Sequence, residues 1–519
     1  MESVVHAISH ELVLDGGGHP DPADALASLG EQFSWAPAGR PHTVRRTWLD
    51  TFDWRLHRAG LTLEQASRAG HSELTLAGPD ADRIAEPAAH LRWPALAGAL
   101  APGELRARLG PVAGIRALLP VARAVSSVRD LRVLNADGKT VAWLTVDETA
   151  VTSPAAAQLP PRLTVTAVRG YQAEAQRIAQ ALASVPGARP GSGQLLEAAL
   201  APAGHRPGGY TNKVDVALSP GQPARLAMAA VLLRLLDTLE ANVPGTIRDT
   251  DPEFLHDLRV SVRRTRSALK LAGDVLPVSL PRRYRPEFKW LGDLTTPMRD
   301  LDVYLLGFPA MASGLIAAAP AELDPLHDHL IRQRAAERRL LVAGLRSARF
   351  TALATGWRAH LSQVRAPARG TPIRDFAAAR IGRAHRTVLA RGNAITAESP
   401  AEALHDLRKR CKELRYLLEF FASLHDPAAH QRVLKDLKGL QDCLGEFQDG
   451  QVQQEELRAF AERMKPDVPA ATLLAMGELA AQLAGRQQQA RSEFAGRFAA
   501  FAAPRAQRRL RALSPAAAS

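Results

Sequence analysis

HDLRVSVRRTRSALK (residues 256–270) and HDLRKRCKELRYLLE (residues 405–419) are two versions of one phrase within the same chain. Both begin with His-Asp-Leu-Arg, and both carry further basic residues at the same intervals. The two phrases lie 149 positions apart, and the same offset maps Pro223 onto Pro372. An offset that is kept without a gap over this distance predicts a duplicated structural unit.

The spacing within each phrase predicts a helix with a basic face. Positions 0, 3, 7 and 10 fall within an arc of about 80° when a helix turns by about 100° per residue. The apolar residues of each phrase form a separate arc that can pack into a core. Each basic arc is therefore free to line a surface or a cleft. The two stripes are His256, Arg259, Arg263 and Arg266, and His405, Arg408, Lys412 and Arg415.

A row of positive side chains on one helix face indicates an anionic partner. Like charges on neighbouring turns repel each other unless acidic side chains or a bound anion neutralise them. The basic residues repeat between the two copies, whereas most nearby acidic residues do not; Asp293, whose counterpart is Asp442, is an exception. Arginine binds phosphate oxygens in pairs, lysine adds a point charge, and histidine adds a donor that depends on pH. We therefore expect an extended polyanion.

Composition bounds the class of protein. A chain of 519 residues predicts two or three domains. Residues 1–210 contain 20 basic and 20 acidic side chains, so the whole net charge of +13 lies in the rest of the chain. The apolar runs are too short for a membrane span, and the first residues do not resemble a secretory signal, so we expect a cytoplasmic protein. Cys411 and Cys443 lack metal-ligand spacing, and we expect free thiols with no metal or other cofactor.

The first 202 residues show the alternation that is typical of antiparallel strands. HTVRRTWLDT and SELTLAG are examples, and NADGK lies between two such runs as a hairpin turn. One helix is expected near the end of this part, with Ile178, Ala179 and Leu182 on its apolar side. These patterns predict an α+β fold.

TWLDTFDWRLHRAGLTLE, which starts at Thr47, resembles the CYTH family. Its members form a closed β-tunnel that binds triphosphate and include adenylate cyclases and triphosphatases. The resemblance implies a CYTH-like antiparallel β-tunnel over residues 1–202. The polar tunnel positions of the family correspond here to Ser9, Glu11, Val13, Glu64, Ala66 and Ala77. Because five of the six lack the family's residue, we expect a degenerate domain without a metal cage or catalysis.

Two interpretations of this degenerate domain stay open. It is either kept for folding or docking, or its tunnel serves another ligand. We expect Asp50, Arg129 and Asp147 to form internal ion pairs and assign no site to them.

The second half resembles the CHAD domain, the conserved histidine α-helical domain. The features that carry the resemblance are the two HDLR phrases, their common offset and RDLDV at residue 299. It covers residues 223–503, after a Gly/Pro-rich linker at 203–222, and implies two helical bundles at about 223–350 and 372–503. Residues 504–519 are expected to be a C-terminal tail.

The CHAD resemblance implies that the chain binds inorganic polyphosphate and is located at cytoplasmic polyphosphate granules. The site residues that it carries over are His256, Arg259, Arg263, Arg266 and Lys289 in the first copy, and His405, Arg408, Lys412, Arg415 and Lys438 in the second. Arg264 and Arg410 are left out because their counterparts are Glu413 and Ser261.

The sequence leaves alternatives to polyphosphate binding. Nonspecific nucleic-acid binding fits any basic stripe, although aromatic residues make up only 5% of the chain and do not alternate with the basic ones. A CYTH enzyme that binds or hydrolyses triphosphate is a further alternative. A purely structural network of ion pairs would bury the stripe. Metal binding by the histidines is disfavoured because the surrounding arginines repel a cation. The sequence leaves open whether the protein forms a homo-oligomer.

Overall fold

The computed structural model describes residues 9–15, 25, 27, 29–30, 33–79, 83–88, 91–191 and 195–513. The chain divides into two compact units, Met1–Thr211 and Asn212–Ser519. The boundary falls inside the predicted linker, so residues 212–222 belong to the second unit.

The first unit is built on one antiparallel sheet, as the alternating sequence predicts. Its strands are β1 (Ser9–Leu14), β2 (Ser34–Pro37), β3 (His42–Thr51), β4 (Thr62–Arg68), β5 (His71–Ala77), β6 (Arg83–Pro87), β7 (Ala95–Leu96), β8 (Ala117–Leu134), β9 (Thr140–Ser153), β10 (Ala157–Gln158), β11 (Arg162–Ala167) and β12 (Ala188–Pro190). Its helices are α1 (Arg55–Arg58), α2 (Glu104–Ala113), α3 (Gln172–Ala183) and α4 (Leu195–Leu200).

The main strand order is β12-β1-β11-β9-β8-β3-β4-β5-β6. The long strands β8 and β9 form the predicted hairpin, whose turn closes where the amide of Asn135 donates to the carbonyl of Lys139. Helix α3 buries Ile178, Ala179 and Leu182 in the same core as the inner residues of β1, β9 and β11. The α+β prediction for this unit is confirmed.

The second unit is all helical, as predicted. Its helices are α5 (Ala224–Arg248), α6 (Pro252–Leu271), α7 (Ser279–Ser313), α8 (Asp324–Leu345), α9 (Ala348–Ser362), α10 (Ile373–Asn393), α11 (Ala401–Phe420), α12 (Pro427–Met464), α13 (Ala470–Ala502) and α14 (Pro504–Ala512). The first and last residues of α6 and α11 differ by the same 149 positions as the two sequence phrases. The duplication is therefore visible in the helix boundaries as well as in the residues.

The two copies meet around a local twofold relation. Pro223 and Pro372, which correspond to each other, form an antiparallel bridge. The amide of Ala224 donates to the carbonyl of Thr371 at 2.9 Å, and the amide of Ile373 donates to the carbonyl of Gln222 at 2.8 Å. These two hydrogen bonds are equivalent under the offset, which is the pattern of an isologous contact. One large core contains side chains from both copies.

Two expectations are corrected by the second unit. The sequence predicts a helix break at Pro297, but α7 continues through Pro286, Pro297 and Pro309. Buried Thr295 and Met298 hold the helix on both sides of Pro297, and the carbonyl that the proline leaves without a partner lies on the exposed residue Asp293, where water can reach it. Residues 504–519 are predicted as a tail, but 504–512 form α14.

Helix α14 is held against the unit by an apolar contact and an ion pair. Leu510 and Leu513 are buried in the shared core. Arg509 forms an ion pair of 2.8 Å with Asp436 of α12. The arginine-rich composition of this segment predicts an exposed tail, but its two leucines provide the anchor that composition does not show.

Candidate functional site

The two basic stripes come together on facing helices. Lys412 on α11 lies close enough to Arg259 and Arg263 on α6 for their charges to act on its ionisation. Arg263 and Lys412 are counterparts under the offset, and counterparts that approach each other lie beside a twofold axis. The stripes are therefore two halves of one basic surface.

A cavity of about 340 Å³ opens between the stripes. It is lined by Arg263, Arg266, Ser267, Lys270, Lys409, Arg410, Lys412, Glu413 and Tyr416. Both copies contribute to the lining, and three of its residues belong to the predicted site. We call this space and the stripes beside it the cleft.

The pKa values of two cleft residues are lowered by burial and by neighbouring positive charges. Burial, together with the charges of Arg408, Arg263 and Arg259, lowers the pKa of Lys412 to about 8, although Asp449 acts in the opposite direction. Burial also lowers the pKa of Arg259 to about 10, which Asp300 opposes and Arg263 reinforces. Positive charge in the cleft is therefore under-compensated by protein carboxylates.

Arg259 and Arg408 each face a carboxylate at the same end of their stripe. Arg259 Nη2 lies 4.0 Å from Asp300 Oδ1, and Arg408 Nη2 lies 3.0 Å from Asp449 Oδ1. Within the described residues, Nε and Nη1 of Arg259 are buried without a hydrogen-bond partner. Since buried donors ordinarily find an acceptor, these two donors remain available to a bound group.

The ends of the stripes reach α7 and α12. A Cβ atom at Gly292 of α7 would lie only 2.8 Å from Arg266 Nη1, so glycine gives this guanidinium its room. In the second copy, Arg415 Nη1 donates to Gln441 Oε1 at 3.5 Å and Nε donates to Glu419 Oε1 at 2.8 Å. Gly292 and Gln441 are counterparts under the offset.

The remaining predicted residues lie outside the cavity lining. Lys289 and Lys438 are exposed and form ion pairs of 2.5 Å and 2.7 Å with the aspartates one turn further along, Asp293 and Asp442. His405 Nδ1 is in hydrogen-bond contact with the side-chain oxygen of Gln448. His256 is half-buried at the start of the first stripe.

Two ion pairs tie the copies together beside the cleft. Arg264 contacts Glu419 at 2.7 Å, and Lys270 contacts Glu413 at 2.5 Å. The two pairs occupy equivalent positions under the offset, but the first copy supplies both bases and the second copy both acids. This explains why Arg264 does not repeat in the sequence. Arg264 forms an ion pair with Glu419 of the other copy and does not line the cleft.

Four members of the cavity lining that can donate hydrogen bonds are absent from the predicted site, namely Lys270, Lys409, Arg410 and Tyr416. Lys270 continues the first stripe by one more turn, so a longer search along the same face would find it. Lys409 and Tyr416 have no basic or aromatic counterpart, since the offset pairs them with Val260 and Ser267. Repetition therefore gives no signal for these two residues.

The first unit holds a separate cavity of about 590 Å³ on its sheet. Its lining includes His42, Arg46, Arg68, Glu73 and Asp130. Arg46 lies 2.6 Å from Glu64 and 2.8 Å from Asp147. Burial opposes its charge, but the two carboxylates outweigh burial and raise its pKa. This arginine is therefore already neutralised by the protein.

The polar residues that the sequence left without a site in this unit have internal partners. Asp50 is expected in an ion pair but instead accepts from the backbone amides of Thr51, Leu56 and His57. Arg129 lies 3.4 Å from Glu148. Glu11, the one tunnel position that keeps the residue of the CYTH family, is paired with Arg162. Among the described residues, no group of three or more His, Cys, Asp or Glu side chains is arranged to hold a metal ion.

Known proteins are similar to about half of this chain. The uncharacterized protein Rv2226 of Mycobacterium tuberculosis (strain ATCC 25618 / H37Rv) is 28% identical over 292 residues, covering 51% of this chain and 52% of that protein. The chain thus spans about half the length of the curated relatives that it matches. The solved CHAD domain from the plant Ricinus communis is 28% identical, with a TM-score of 0.47 and coverage of 55% of this chain and 96% of that one.

Two further solved structures are less similar in sequence. PptA from Streptomyces chartreusis is 20% identical, with a TM-score of 0.44 and coverage of 53% of this chain and 99% of that one. The putative adenylyl cyclase HpAC1 from Hippeastrum, described with a dominant triphosphatase activity, is 14% identical, with a TM-score of 0.28 and coverage of 40% and 100%.

The match to a protein family lies on the part of the chain that holds the cleft. Residues 230–458 match the CHAD domain family. This range contains both HDLR phrases and every predicted site residue of the helical unit. The chain therefore contains a CHAD domain, which occupies residues 230–458.

Proposed function

We propose that the helical unit binds inorganic polyphosphate in the cleft between its two copies and does not cleave it. The observation that carries this proposal is the convergence of the two stripes, since Arg263 and Arg266 of one copy and Lys412 of the other line the same cavity. A surface that crosses the local twofold relation presents cations on both sides of a bound chain.

An external anion accounts for the charge of the cleft better than an internal network does. Within the described residues, the exposed side chains of Arg263, Arg266 and Lys409 have no carboxylate within ion-pair distance. A buried structural network would pair these cations, because an unpaired charge in a protein is costly. Multiple phosphate groups on one chain would neutralise several of them at once.

Polyphosphate is favoured over single-stranded nucleic acid by the chemistry of the lining. Base recognition uses aromatic side chains as stacking platforms. Tyr416 is the single aromatic residue among the described lining residues, and its ring stacks on Phe420 at 6.3 Å between centroids. The cleft therefore offers charge without a row of base-stacking groups, which agrees with the function that the CHAD resemblance implies.

Binding without catalysis is part of the proposal. In the first unit, the carboxylates of Glu64 and Asp147 are paired with Arg46. Carboxylates that already neutralise an arginine are poor ligands for a metal ion, which supports a first unit that does not bind a metal–triphosphate complex. We further propose that the protein works in the cytoplasm at polyphosphate granules. Within the described part of the chain, no helix has both the length and the apolar character needed to cross a membrane.

The direct test is competition between long-chain polyphosphate and single-stranded DNA for the purified protein over a series of salt concentrations. The wild-type protein is compared with the variant His256→Ala/Arg259→Ala/His405→Ala/Arg408→Ala. We expect polyphosphate to displace DNA at moderate salt and the variant to lose polyphosphate binding. Both affinities should fall as salt rises, because the interaction is electrostatic.

A control variant separates the cleft from the total charge. Arg332 and Arg339 are exposed on α8, and Arg332→Gln/Arg339→Gln removes two positive charges away from the cleft. This variant should bind polyphosphate as the wild-type protein does. Equal competition by DNA, or unchanged binding by the quadruple variant, would contradict the proposed function.

A further inference from the structure

A second basic surface lies at the C-terminal end of the helical unit. It consists of Arg383 and Arg386 on α10 and of Arg505, Arg508 and Arg511 on α14, and we call it the C-terminal patch. All five side chains are exposed. The predicted site does not include any of them.

A buried histidine of α10 lies near arginines of both helices. His385 of α10 is 4% exposed, and its ring lies 6.0 Å from that of Phe501 in an edge-to-face arrangement. Burial, followed by the charges of Arg511 and Arg386, lowers its pKa to about 4. These two arginines, one from each helix, therefore lie close to the same side chain.

The anchoring of α14 directs its arginines outward. Leu510 is buried and Arg509 is bound to Asp436, which fixes one side of the helix. At about 100° per residue, Arg505, Arg508 and Arg511 share an arc of about 120° on the side away from Leu510. The helix thus presents three guanidinium groups to solvent.

Protein carboxylates do not compensate the patch. Helix α14 contains no acidic residue, and α10 contains none after Asp375. The nearby Asp436 is already taken by Arg509. Within the described residues, Arg383, Arg386, Arg505 and Arg508 have no ion-pair partner. Like charges that lie close together on a protein surface repel each other, and a bound anion would relieve that repulsion.

The patch is separate from the cleft. On α12, Asp436 is turned by about 200° from Lys438 and by about 140° from Gln441, the residue that Arg415 contacts. Helix α14 is therefore attached to the side of α12 that faces away from the second stripe. One chain would need to bend around α12 to occupy both surfaces.

The chemistry of the patch fits a phosphate chain. Guanidinium groups bind phosphate oxygens in pairs of hydrogen bonds. Leu510 of α14 and Leu513, which follows the helix, are both buried, so neither large apolar side chain is available to insert into a lipid surface. The described patch residues include no aromatic ring for base stacking.

We propose that the C-terminal patch is a second polyphosphate-binding surface, so that one molecule holds two polyphosphate segments at once and can bridge chains. The choice of polyphosphate rests on the function proposed above for the cleft. Two linked sites of modest affinity give much tighter binding to a long chain than either gives alone. Bridging would also gather separate chains into larger particles.

The experiment counts bound chains with a size-fractionated polyphosphate that is too short to reach both surfaces. Isothermal titration calorimetry is applied to the wild-type protein, to the cleft variant Arg259→Gln/Arg408→Gln and to the patch variant Arg383→Gln/Arg386→Gln/Arg505→Gln/Arg508→Gln. We expect two chains per wild-type molecule and one chain for each variant. Light scattering with long polyphosphate should rise for the wild-type protein and stay low for both variants.

A matched control removes the same number of charges elsewhere. Arg332→Gln/Arg339→Gln/Arg346→Gln/Arg369→Gln changes four exposed arginines outside both surfaces and should leave the stoichiometry at two. The patch variant keeps Arg509, Leu510 and His385, and circular dichroism with thermal unfolding checks that α14 stays docked.

Each outcome separates this inference from the proposed function. One chain per wild-type molecule, with the patch variant unchanged, would overturn the second surface and leave the cleft. Unchanged binding by the cleft variant together with loss in the patch variant would overturn the cleft and leave the patch. If the patch variant still binds two polyphosphate chains, the second chain is bound elsewhere and the inference is wrong.

Discussion

Asp300 and Asp449 are the carboxylates that compete most directly with a bound anion. Each is paired with a stripe arginine and each is largely exposed. In Asp300→Asn/Asp449→Asn, Arg259 and Arg408 no longer have this internal partner, so we expect tighter polyphosphate binding. Ion pairs at a protein surface contribute about 0–1 kcal/mol each, so releasing both arginines corresponds to an increase in affinity of up to about 30-fold.

The measurement is the Kd for polyphosphate, determined at one salt concentration for all variants. Glu287→Gln/Glu462→Gln is the control, because these carboxylates form exposed ion pairs with Arg349 and Lys465 outside the cleft. It raises the net charge by the same amount. An equal gain in both variants would show that net charge, and not release of the stripe arginines, controls affinity.

The lowered pKa of Lys412 predicts that polyphosphate binding weakens at alkaline pH. Its pKa is about 8 in the free protein, and a bound polyanion would raise it, because negative charge stabilises the ammonium form. Above pH 8 the lysine must take up a proton on binding, so we expect affinity to fall as pH rises beyond this value. Arg259, Arg263, Arg408 and Asp449 are the charged groups that face it.

The Kd of the wild-type protein and of Lys412→Arg on both sides of pH 8 tests this. Arginine stays charged, so the variant should lose most of the alkaline decline. Without ligand, the folded pKa lies below the ordinary value of 10.5, so stability should rise as pH increases between about 8 and 10.5. Identical pH profiles for the two proteins would show that Lys412 does not titrate in the cleft.

At the scale of elements, α6 and α11 are joined by two equivalent ion pairs that differ in burial. Arg264 and Glu419 are 10% and 14% exposed, whereas Lys270 is 60% exposed. Breaking the buried pair by Arg264→Met should lower the free energy of unfolding by about 3 kcal/mol, because the carboxylate of Glu419 loses a close partner. Lys270→Met should cost about 1 kcal/mol or less.

Urea denaturation gives both free energies of unfolding. The double variant Arg264→Met/Glu419→Met should be less destabilised than the sum of its two single variants, since the loss of this one ion pair is then counted once and not twice. Strict additivity would mean that the two side chains do not stabilise each other. Arg264 also donates to the carbonyl of Asn212, so the Arg264 single variant measures more than this one pair.

At the scale of the whole molecule, charge and fold divide at the same place. The division into two units lies at residues 211 and 212, and the net charge of +13 lies entirely after residue 210. We expect residues 212–519, produced alone, to fold cooperatively as a helical protein. Their affinity for polyphosphate should equal that of the full chain within about twofold, since all cleft residues are present.

Circular dichroism, thermal unfolding and polyphosphate titration of the two proteins test this expectation side by side. The first unit, residues 1–211, is the matching control and should not bind polyphosphate, because Arg46 is already neutralised by Glu64 and Asp147. A large loss of affinity in residues 212–519 would mean that the first unit takes part in binding.

The local features of the chain were readable from its sequence. The stripes at His256 and His405, the apolar faces beside them and the strand His42–Thr51 follow from periodicities that neighbouring residues set among themselves. The duplication was readable because the offset of 149 residues is unbroken. Helix α7, which continues through Pro297, shows the limit of local rules, since packing on both sides overrides the local signal.

Local sequence patterns establish two basic helix faces, on duplicated helices, in a chain whose net positive charge lies in its second half. The tertiary structure alone decided that Arg263 and Lys412 meet at one cleft, that Arg264 binds Glu419 instead of lining it, and that α14 is docked through Leu510. Such contacts join residues far apart in the chain, so they depend on which surfaces pack together, and a local period does not record that.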